Sequence, residues 1–347
     1  MKRQDYDLAK ILKYENVAWF SDGIVRILDR RYYPAEERYV DCKTHLEVAA
    51  AIRDMVTQSA GPYTAAGMGM TLAAFNNREL KGDELMAVLE DAGEALSTAR
   101  PTTTSRMRVV TKGCLEAAKN ADKDGREPYQ AIFDRTIDSL NRRYKVMQIV
   151  GDNLASLFKE DSVIMTQCYG ETVVGTMLRA ANRMGIKPKF VVPETRPFLQ
   201  GAKLTASVIH EMGFELKLIS DNMAAWAISH YGVNLFTSAA DTITTDGYVV
   251  NKVGTLQIAI LAKHFGVPYY VTGIPDDVAI NDVDIEFRNP NEITSFMGLR
   301  TTLEGVEGIY PAFDITPPEL VTGYVTDRGI LMLDELKEYK KEKTEFY

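Results

Sequence analysis

The second half of the chain alternates short apolar runs with segments whose apolar residues recur at helical spacing. The runs predict strands at 162–168, 189–193, 214–220, 235–240, 267–272 and near 323–326. The intervening segments predict helices at 171–184, 199–213, 222–231 and 251–265. This alternation is typical of a mainly parallel, doubly wound sheet with right-handed crossovers. Gly185, Gly213 and Gly266 each fall where a predicted helix should end, which supports the phase of the pattern.

The first half has a mostly helical pattern. Alternating residues around Asp22 and Gly23 predict a hairpin that opens the chain. Helical spacing then predicts helices at 44–57, 65–75, 79–98 and 105–120, the first of them behind a cap at Thr44. The predicted fold class is therefore α/β, with a Rossmann-like doubly wound C-terminal domain preceded by a mostly helical N-terminal domain that carries a small antiparallel sheet.

A polar stretch at 120–128 contains glycine and proline and is the most polar part of the first half. We place the domain boundary there, which gives a helical N-terminal domain at 1–128 and a Rossmann-like α/β catalytic domain at 129–347. The length of 347 residues also exceeds that of most single cores. The segment 129–159 has one apolar stripe and predicts a long helix that connects the two domains.

Composition narrows the function classes. With 46% hydrophobic and 25% charged residues, no segment approaches a membrane span and no export signal is visible, so we expect a cytoplasmic protein without a membrane partner. Cys42, Cys114 and Cys168 lack metal-site spacing and the four histidines are scattered, which argues against disulfides and zinc. A net charge of −8 argues against nucleic acid and leaves a small molecule as the expected ligand.

Two candidate residues follow predicted strands. In DSVIMTQCYG (161–170), an apolar run ends at Cys168 before a helical pattern, and a second run ends just before Asp241. Ligands of open α/β sheets bind outside the carboxyl ends of the strands, and a thiol at such a strand-to-helix turn is expected to be more acidic than a free one. Cys168 and Asp241 could share a proton transfer, one as acid and the other as base. The alternative for Cys168 is an inert core cysteine.

Familiar nucleotide and hydrolase motifs are absent from the sequence. It contains no G-x-G-x-x-G after the first strand of the alternating half, no G-x-x-x-x-G-K-[ST] and no G-x-S-x-G. Other polar residues do lie near the predicted strand ends, several at predicted helix starts where an anion would be held. They are Glu194, Arg196, Gln200, Asn222, Asn251 and Lys252. Each taken singly could equally be a helix cap or a solvated side chain.

Several long motifs carry a family resemblance. They are ETRPFLQGAKLTA (194–206), SDNMAAW (220–226), SAADTITTDGYVVNKVGT (238–255) and YPAFDITPPELVT (310–322). The chain resembles the methylthioribose-1-phosphate isomerase family, which also includes archaeal ribose-1,5-bisphosphate isomerases and the regulatory subunits of translation initiation factor 2B. ILDRRYYP (27–34), ARPTTTSRM (99–107) and TQC (166–168) extend the resemblance over nearly the whole chain.

The resemblance implies a cytoplasmic, usually dimeric enzyme of methionine salvage that converts an aldose 1-phosphate to a ketose 1-phosphate without a metal or organic cofactor. The family's catalytic cysteine and aspartate match Cys168 and Asp241. Its substrate contacts match a further set of positions in this chain. These are Gln58, Ser59, Ala60, Arg100, Gln200, Asn251 and Lys252.

This chemistry needs an acid, because a 1-phosphate blocks the anomeric carbon and the ring cannot open as an ordinary hemiacetal does. An acid must first protonate the ring oxygen, and hydrogen must then move from C2 to C1. A base that forms an enol phosphate is one route and a direct hydride shift is the other. The sequence leaves both routes open.

Departures from the family pattern bear on the substrate. Where the methylthioribose enzymes have Arg-Gly-Ala, this chain has Gln58-Ser59-Ala60, so one expected cation is missing. The segment after Cys168 has the length found in the bisphosphate isomerases, and Tyr310 replaces the usual asparagine. The N-terminal hairpin and PAFDITPPEL favour the methylthioribose branch. We therefore expect S-methyl-5-thioribose 1-phosphate, converted to S-methyl-5-thioribulose 1-phosphate, or a close analogue such as 5-deoxyribose 1-phosphate.

Two alternatives remain. One is a ribose-1,5-bisphosphate isomerase, and the other is a non-catalytic regulatory subunit like those of initiation factor 2B. Retention of both Cys168 and Asp241 argues against the second, since scaffolding needs neither. Sheet strands rich in Val, Ile and Tyr, together with the family resemblance, also predict a homodimer formed through the second domain.

Overall fold

The computed structural model describes residues 3–100 and 104–339. The chain divides into two compact units between Val146 and Met147. The described residues of unit 1 are 3–100 and 104–146, and those of unit 2 are 147–339.

Unit 1 combines a three-stranded antiparallel sheet with helices, as the sequence predicts. Its elements are α1 (Tyr14–Val17), β1 (Trp19–Ser21), β2 (Ile24–Leu28), β3 (Tyr39–Cys42), α2 (His45–Arg53), α3 (Gly61–Asn76), α4 (Gly82–Ser97), α5 (Thr104–Lys123) and α6 (Pro128–Ala155), the last of which continues into unit 2. Asp22 and Gly23 join β1 to β2 with φ of 52° and 77°. Positive φ at both positions is the conformation that two-residue hairpin turns require, so the predicted hairpin is confirmed.

The helix predicted at 44–57 is shorter in the structure. Thr44 caps α2 by accepting the Glu47 N–H at 3.2 Å, and the helix ends at Arg53. Gly61 and Pro62 begin α3, where proline fits because an N-terminal N–H has no intrahelical partner. Every residue of α3 from Gly61 to Ala74 is buried, so α3 is the central helix of the unit 1 core.

The division between the units falls inside α6, whereas the sequence-based boundary lies at 128. The reason is packing. Ile132 is buried in the core of unit 1, and Phe133 and Ile137 pack against that core, so the first part of α6 belongs to unit 1.

Unit 2 contains a seven-stranded sheet with helices between its strands. Its elements are β4 (Val163–Gln167), α7 (Glu171–Met184), β5 (Lys189–Pro193), a π-helix (Gly201–Thr205), α8 (Ala206–Glu211), β6 (Leu216–Ile219), α9 (Ala224–Tyr231), β7 (Leu235–Ala239), β8 (Thr242–Ile243), β9 (Val249–Lys252), α10 (Thr255–His264), β10 (Tyr269–Thr272), α11 (Asn291–Thr294), β11 (Ser295–Phe296), β12 (Leu299–Arg300), β13 (Phe313–Thr316), β14 (Gly323–Thr326), β15 (Gly329–Leu331) and α12 (Leu333–Lys337).

The strand order of the large sheet is β15-β14-β10-β7-β4-β5-β6. Only the edge strand β15 is antiparallel, and the other six strands run in the order of a Rossmann-like doubly wound sheet. The strand order reverses between β4 and β7, which pair with Gln167 opposite Ser238. Ligand crevices of open α/β sheets lie at such a switch point. The predicted fold class is confirmed.

One element of the prediction is wrong. Residues 251–265 were predicted as a helix, but Asn251 and Lys252 belong to β9, and α10 begins only at Thr255. β9 forms a small antiparallel sheet in the order β13-β9-β8. The β-branched Val249 and Val250 suit a strand, and the pairing of β9 with the distant β13 overrides the local helical pattern.

No helix among the described residues has both the length and the apolar composition to cross a membrane.

Candidate active site

Cys168 lies directly after β4, at the switch point of the sheet. Its φ of 59° is left-handed, a conformation that is strained for a residue with a side chain and costs about 1–3 kcal/mol. Two hydrogen bonds to the Cys168 backbone hold the residue in this conformation. The Cys168 N–H donates to the Thr195 hydroxyl at 3.2 Å, and the Cys168 carbonyl accepts from the Thr205 hydroxyl. The structure therefore fixes the direction of this cysteine.

The segment after β5 provides that support and is itself held by Asp221. The two carboxylate oxygens of Asp221 accept the N–H groups of Thr195 and Arg196 at 2.8 and 2.7 Å. Thr195 and Leu199 also have left-handed φ values of 62° and 60°. Left-handed residues other than glycine tend to cluster at functional sites, so this segment is part of the candidate site.

Gln200 ends this segment at the start of the π-helix. The residue is 4% exposed, and its side-chain Oε1 is buried without a hydrogen bond among the described residues. A buried acceptor without a partner is costly in a folded protein. A hydroxyl or amine of a bound ligand would satisfy it.

Asn251 and Lys252 end β9 and are both 4% exposed. The Asn251 amide donates to the Thr255 hydroxyl at 3.0 Å, and that hydroxyl donates to the Lys252 carbonyl at 2.7 Å. The turn that follows is held by Asp314, whose carboxylate accepts the Gly254 N–H at 2.7 Å. Burial raises the pKa of Asp314 to about 6, although the bonds it accepts oppose this shift.

Asp241 follows β7, the strand next to β4. Its N–H donates to the Val250 carbonyl at 2.9 Å, which ties it to β9, and its side chain is exposed. The structure thus places Cys168, Asp241 and the end of β9 together. All five residues predicted for the second domain lie in unit 2.

Burial dominates the electrostatics of Cys168. It raises the pKa of the thiol to about 11, the nearby Lys252 lowers it, the Asp241 carboxylate raises it, and Arg288 also lowers it. The sequence-based expectation of an acidic thiol is therefore wrong. The cause is desolvation, which disfavours the thiolate more than the neighbouring cations favour it. Cys168 is nevertheless partly accessible, so a ligand can reach it.

Neither Arg288 nor Thr195 could be identified as a site residue from the sequence pattern. Thr195 has no local signal, because its role is a bond to a residue of the neighbouring strand end. Two other candidates have structural roles. Arg196 donates to the carbonyls of Glu292 and Ser295, each at 3.3 Å, and Asn222 accepts from a serine hydroxyl in its own turn.

Gln58, Ser59 and Ala60 form one loop of unit 1 that leads into α3. Gln58 is 3% exposed, and its carbonyl accepts from Nη1 of the buried Arg30 at 2.6 Å. Ser59 has a left-handed φ of 59°, and Ala60 precedes the first turn of α3. A cation therefore does contact this loop, although it comes from position 30 and not from position 58.

Arg100 follows α4 in unit 1 and is 8% exposed. Its carbonyl accepts the Thr104 hydroxyl at 3.0 Å. The residues between them, 101–103 of the ARPTTTSRM motif, lie outside the described residues. Across the described ranges 3–100 and 104–339, no three His, Cys, Asp or Glu side chains lie close enough together to hold a metal ion.

Proteins whose sequences are similar to this chain include several named methylthioribose-1-phosphate isomerase. Over 330 residues the chain is 32% identical to methylthioribose-1-phosphate isomerase 1 of Pseudothermotoga lettingae, covering 90% of this chain and 93% of the relative. Over 335 residues it is 33% identical to methylthioribose-1-phosphate isomerase of Thermotoga maritima, covering 92% and 95%.

Two crystal structures share the fold. The 5-methylthioribose 1-phosphate isomerase of Pyrococcus horikoshii matches with a TM-score of 0.76 and 28% identity, over 94% of this chain and 98% of that one. The translation initiation factor eIF-2B delta subunit from A. fulgidus matches with a TM-score of 0.79 and 27% identity, over 93% and 99%. The model of the initiation factor 2 subunit family matches residues 58–332, and the chain belongs to that family.

Proposed function

We propose that this protein is an aldose–ketose isomerase that converts S-methyl-5-thioribose 1-phosphate to S-methyl-5-thioribulose 1-phosphate. The observation that carries the proposal is the placement of Cys168, Asp241 and Lys252 together at the switch point of the sheet. The two relatives that match about nine-tenths of this chain are both named methylthioribose-1-phosphate isomerase, which supports the same substrate.

Cys168 is the proposed acid. A thiol whose pKa is about 11 keeps its proton at neutral pH, and it can donate that proton to the ring oxygen as the bond from C1 to that oxygen breaks. Lys252 then stabilises the thiolate that remains. Asp241 is the proposed base that removes the proton from C2 and returns it to C1, while the proton of the C2 hydroxyl passes to the Cys168 thiolate, which gives the ketose and restores the thiol. C2 is oxidised and C1 is reduced within the same substrate molecule, so the reaction needs no external electron acceptor.

Gln200, Asn251 and Lys252 are proposed to bind the sugar phosphate from unit 2. Their burial and the unsatisfied oxygen of Gln200 support this role. The family resemblance extends the proposal to Arg100 and to the loop 58–60 of unit 1. Buried arginine side chains suit phosphate, because a guanidinium keeps its charge and offers several donors.

A panel of pentose 1-phosphates tests the proposal. The panel carries a 5-methylthio, 5-deoxy, 5-hydroxyl or 5-phospho group, and ketose formation is followed by NMR. We expect the highest kcat/KM for the 5-methylthio compound. A preference for the 5-phospho compound would instead support a bisphosphate isomerase, and absence of turnover with all four would support a non-catalytic subunit.

We also propose that the protein is a cytoplasmic homodimer formed through unit 2. Several large apolar side chains between residues 287 and 309 are exposed, among them Met297 at 87% and Leu303 at 84%. Exposed apolar groups of this kind mark interaction surfaces. Sedimentation at about micromolar concentration should give twice the chain mass of 38.8 kDa, and a monomer mass alone would refute the dimer.

A further inference from the structure

Backbone pairing brings Arg288 to the same place as Lys252. The Arg288 N–H donates to the Tyr310 carbonyl at 2.9 Å, and the Ala312 N–H donates to the Glu286 carbonyl at 2.8 Å. The chain then enters β13, where Phe313 pairs with Lys252 of β9. The two cations share one ring, since Lys252 Nζ lies 4.6 Å and Arg288 Cζ 5.5 Å from the centroid of Phe313.

The guanidinium of Arg288 is buried and only partly satisfied. Its side chain is 9% exposed, and Nε donates to the Glu286 carboxylate at 2.7 Å. The terminal nitrogens Nη1 and Nη2 are buried and make no hydrogen bond of ordinary geometry among the described residues. The Tyr310 hydroxyl is near enough to interact with the guanidinium, but it too lacks a well-formed bond.

A structural ion pair with Glu286 does not account for this arrangement. The pair uses Nε alone and leaves the two terminal amino groups of the fork without acceptors. Leaving donors of a charged group unsatisfied is costly, so buried groups of this kind require a partner. The fork of an arginine matches two oxygens of one phosphate or carboxylate.

The reactive thiol is close to this fork. The charges of Lys252 and Arg288 both favour the Cys168 thiolate, and Cys168 also interacts electrostatically with Tyr310, so these three side chains lie near the thiol. An anion seated between Lys252 and Arg288 would therefore lie beside Cys168. In a sugar 1-phosphate the phosphate is attached to C1, the carbon bonded to the ring oxygen that the thiol protonates.

We propose that Arg288 is a substrate-binding residue whose Nη1 and Nη2 each donate to an oxygen of the substrate phosphate. Glu286 acts as a positioning residue, because its bond to Nε sets the direction of the fork. The inference deepens the proposed function and rests on its statement that the substrate is a sugar phosphate.

Inorganic phosphate provides a test that does not depend on turnover. Its affinity is measured by calorimetry for the wild-type protein and for Arg288→Gln, Arg288→Lys and Glu286→Gln, with melting temperatures as a check of folding. We expect Arg288→Gln to bind phosphate about 10- to 100-fold more weakly, the range for losing hydrogen bonds to a charged group. Arg288→Lys keeps the positive charge but not the two terminal amino groups, so its phosphate affinity should lie between those of the wild type and Arg288→Gln.

Arg183→Gln is the matched control, because Arg183 is an exposed arginine whose surface ion pair with Asp152 contributes little. It should bind phosphate like the wild type. Phosphate should also slow alkylation of Cys168 at about pH 9 in the wild type and much less in Arg288→Gln, which locates the anion beside the thiol. With substrate, KM should rise by the same factor as the phosphate Kd while kcat changes little.

Several results would overturn the proposal. These are unchanged phosphate affinity in Arg288→Gln, a fall in kcat at constant KM, or failure of the wild type to bind phosphate. If Arg288→Gln does not fold, unchanged affinity in both Arg288→Lys and Glu286→Gln would have the same meaning. Phosphate binding that depends on Arg288 in a protein that turns over no pentose 1-phosphate would support the anion site and refute the proposed function.

Discussion

The Cys168 thiol should remain protonated well above neutral pH. With a pKa of about 11 against about 8.5 for a free cysteine, roughly 0.1% of Cys168 is thiolate at about pH 8, compared with about a quarter of a free thiol. Because the thiolate is the form that reacts, alkylation should be roughly 200-fold slower than that of an unperturbed cysteine at this pH. Its rate should climb with pH toward about 11.

The Lys252→Met variant tests how the charge of Lys252 affects the pKa of the Cys168 thiol. Lys252 is the strongest of the charges that favour the thiolate, so its removal should raise the pKa of the Cys168 thiol and slow alkylation further. Lys263→Met is the matched control, because Lys263 is exposed in the last turn of α10. It should leave the rate unchanged.

The assay is alkylation with iodoacetamide between about pH 7 and 11, with each cysteine identified by peptide mass spectrometry. Cys42 and Cys114 are internal references, since burial raises the pKa of each to about 12. Alkylation of Cys168 at pH 8 as fast as that of the urea-unfolded chain would refute the reasoning. A rate that Lys252→Met leaves unchanged would refute the electrostatic part of it.

Three further predictions concern folding and the site. A Cβ at Gly201 would lie 1.9 Å from the Pro193 carbonyl oxygen. Gly201→Ala should therefore cost about 1–3 kcal/mol of stability in urea unfolding and should also lower kcat. Gly93→Ala is the control, because the nearest contact of its Cβ would be at 3.4 Å, and it should change neither stability nor kcat in this way. Burial raises the pKa of Asp314 from 3.8 to about 6, so the folded state binds the proton more tightly and stability should fall as pH rises from 4 to 6. That fall should be smaller in Asp314→Asn, and equal slopes in urea titrations would contradict it. Gln58→Arg should lower Tm more than Gln58→Met, because position 58 is 3% exposed and a buried arginine already contacts its carbonyl; equal Tm values would count against this.

The sheet of unit 2 could be predicted because its five central strands are buried on both faces. Continuous apolar runs mark such strands, and helices of opposite pattern separate them. The strand order could not be predicted, since pairing of β4 with β7 joins residues about 70 positions apart and has no local signature. The switch point beside Cys168 appears only once that pairing is known.

Properties that depend on burial or on residues distant in the chain could not be predicted from the sequence. The helix predicted over Asn251 and Lys252 is wrong because β13, far along the chain, recruits these residues into a strand. The thiol of Cys168 was expected to be acidic from its strand-to-helix position, but the sequence does not reveal how far the protein surrounds it. Arg288 had no local signal, because its neighbours at the site come from β9 and from the segment before β13.

The central claim is most directly tested by NMR of S-methyl-5-thioribose 1-phosphate incubated with the wild type, Cys168→Ser and Asp241→Asn. The wild type should form the ketose 1-phosphate. Each variant should lower kcat by roughly 10²-fold or more, the scale for losing a positioned acid or base, while its affinity for inorganic phosphate stays near that of the wild type. Absence of ketose with the wild type, or near-native turnover by Cys168→Ser, would contradict the proposed function.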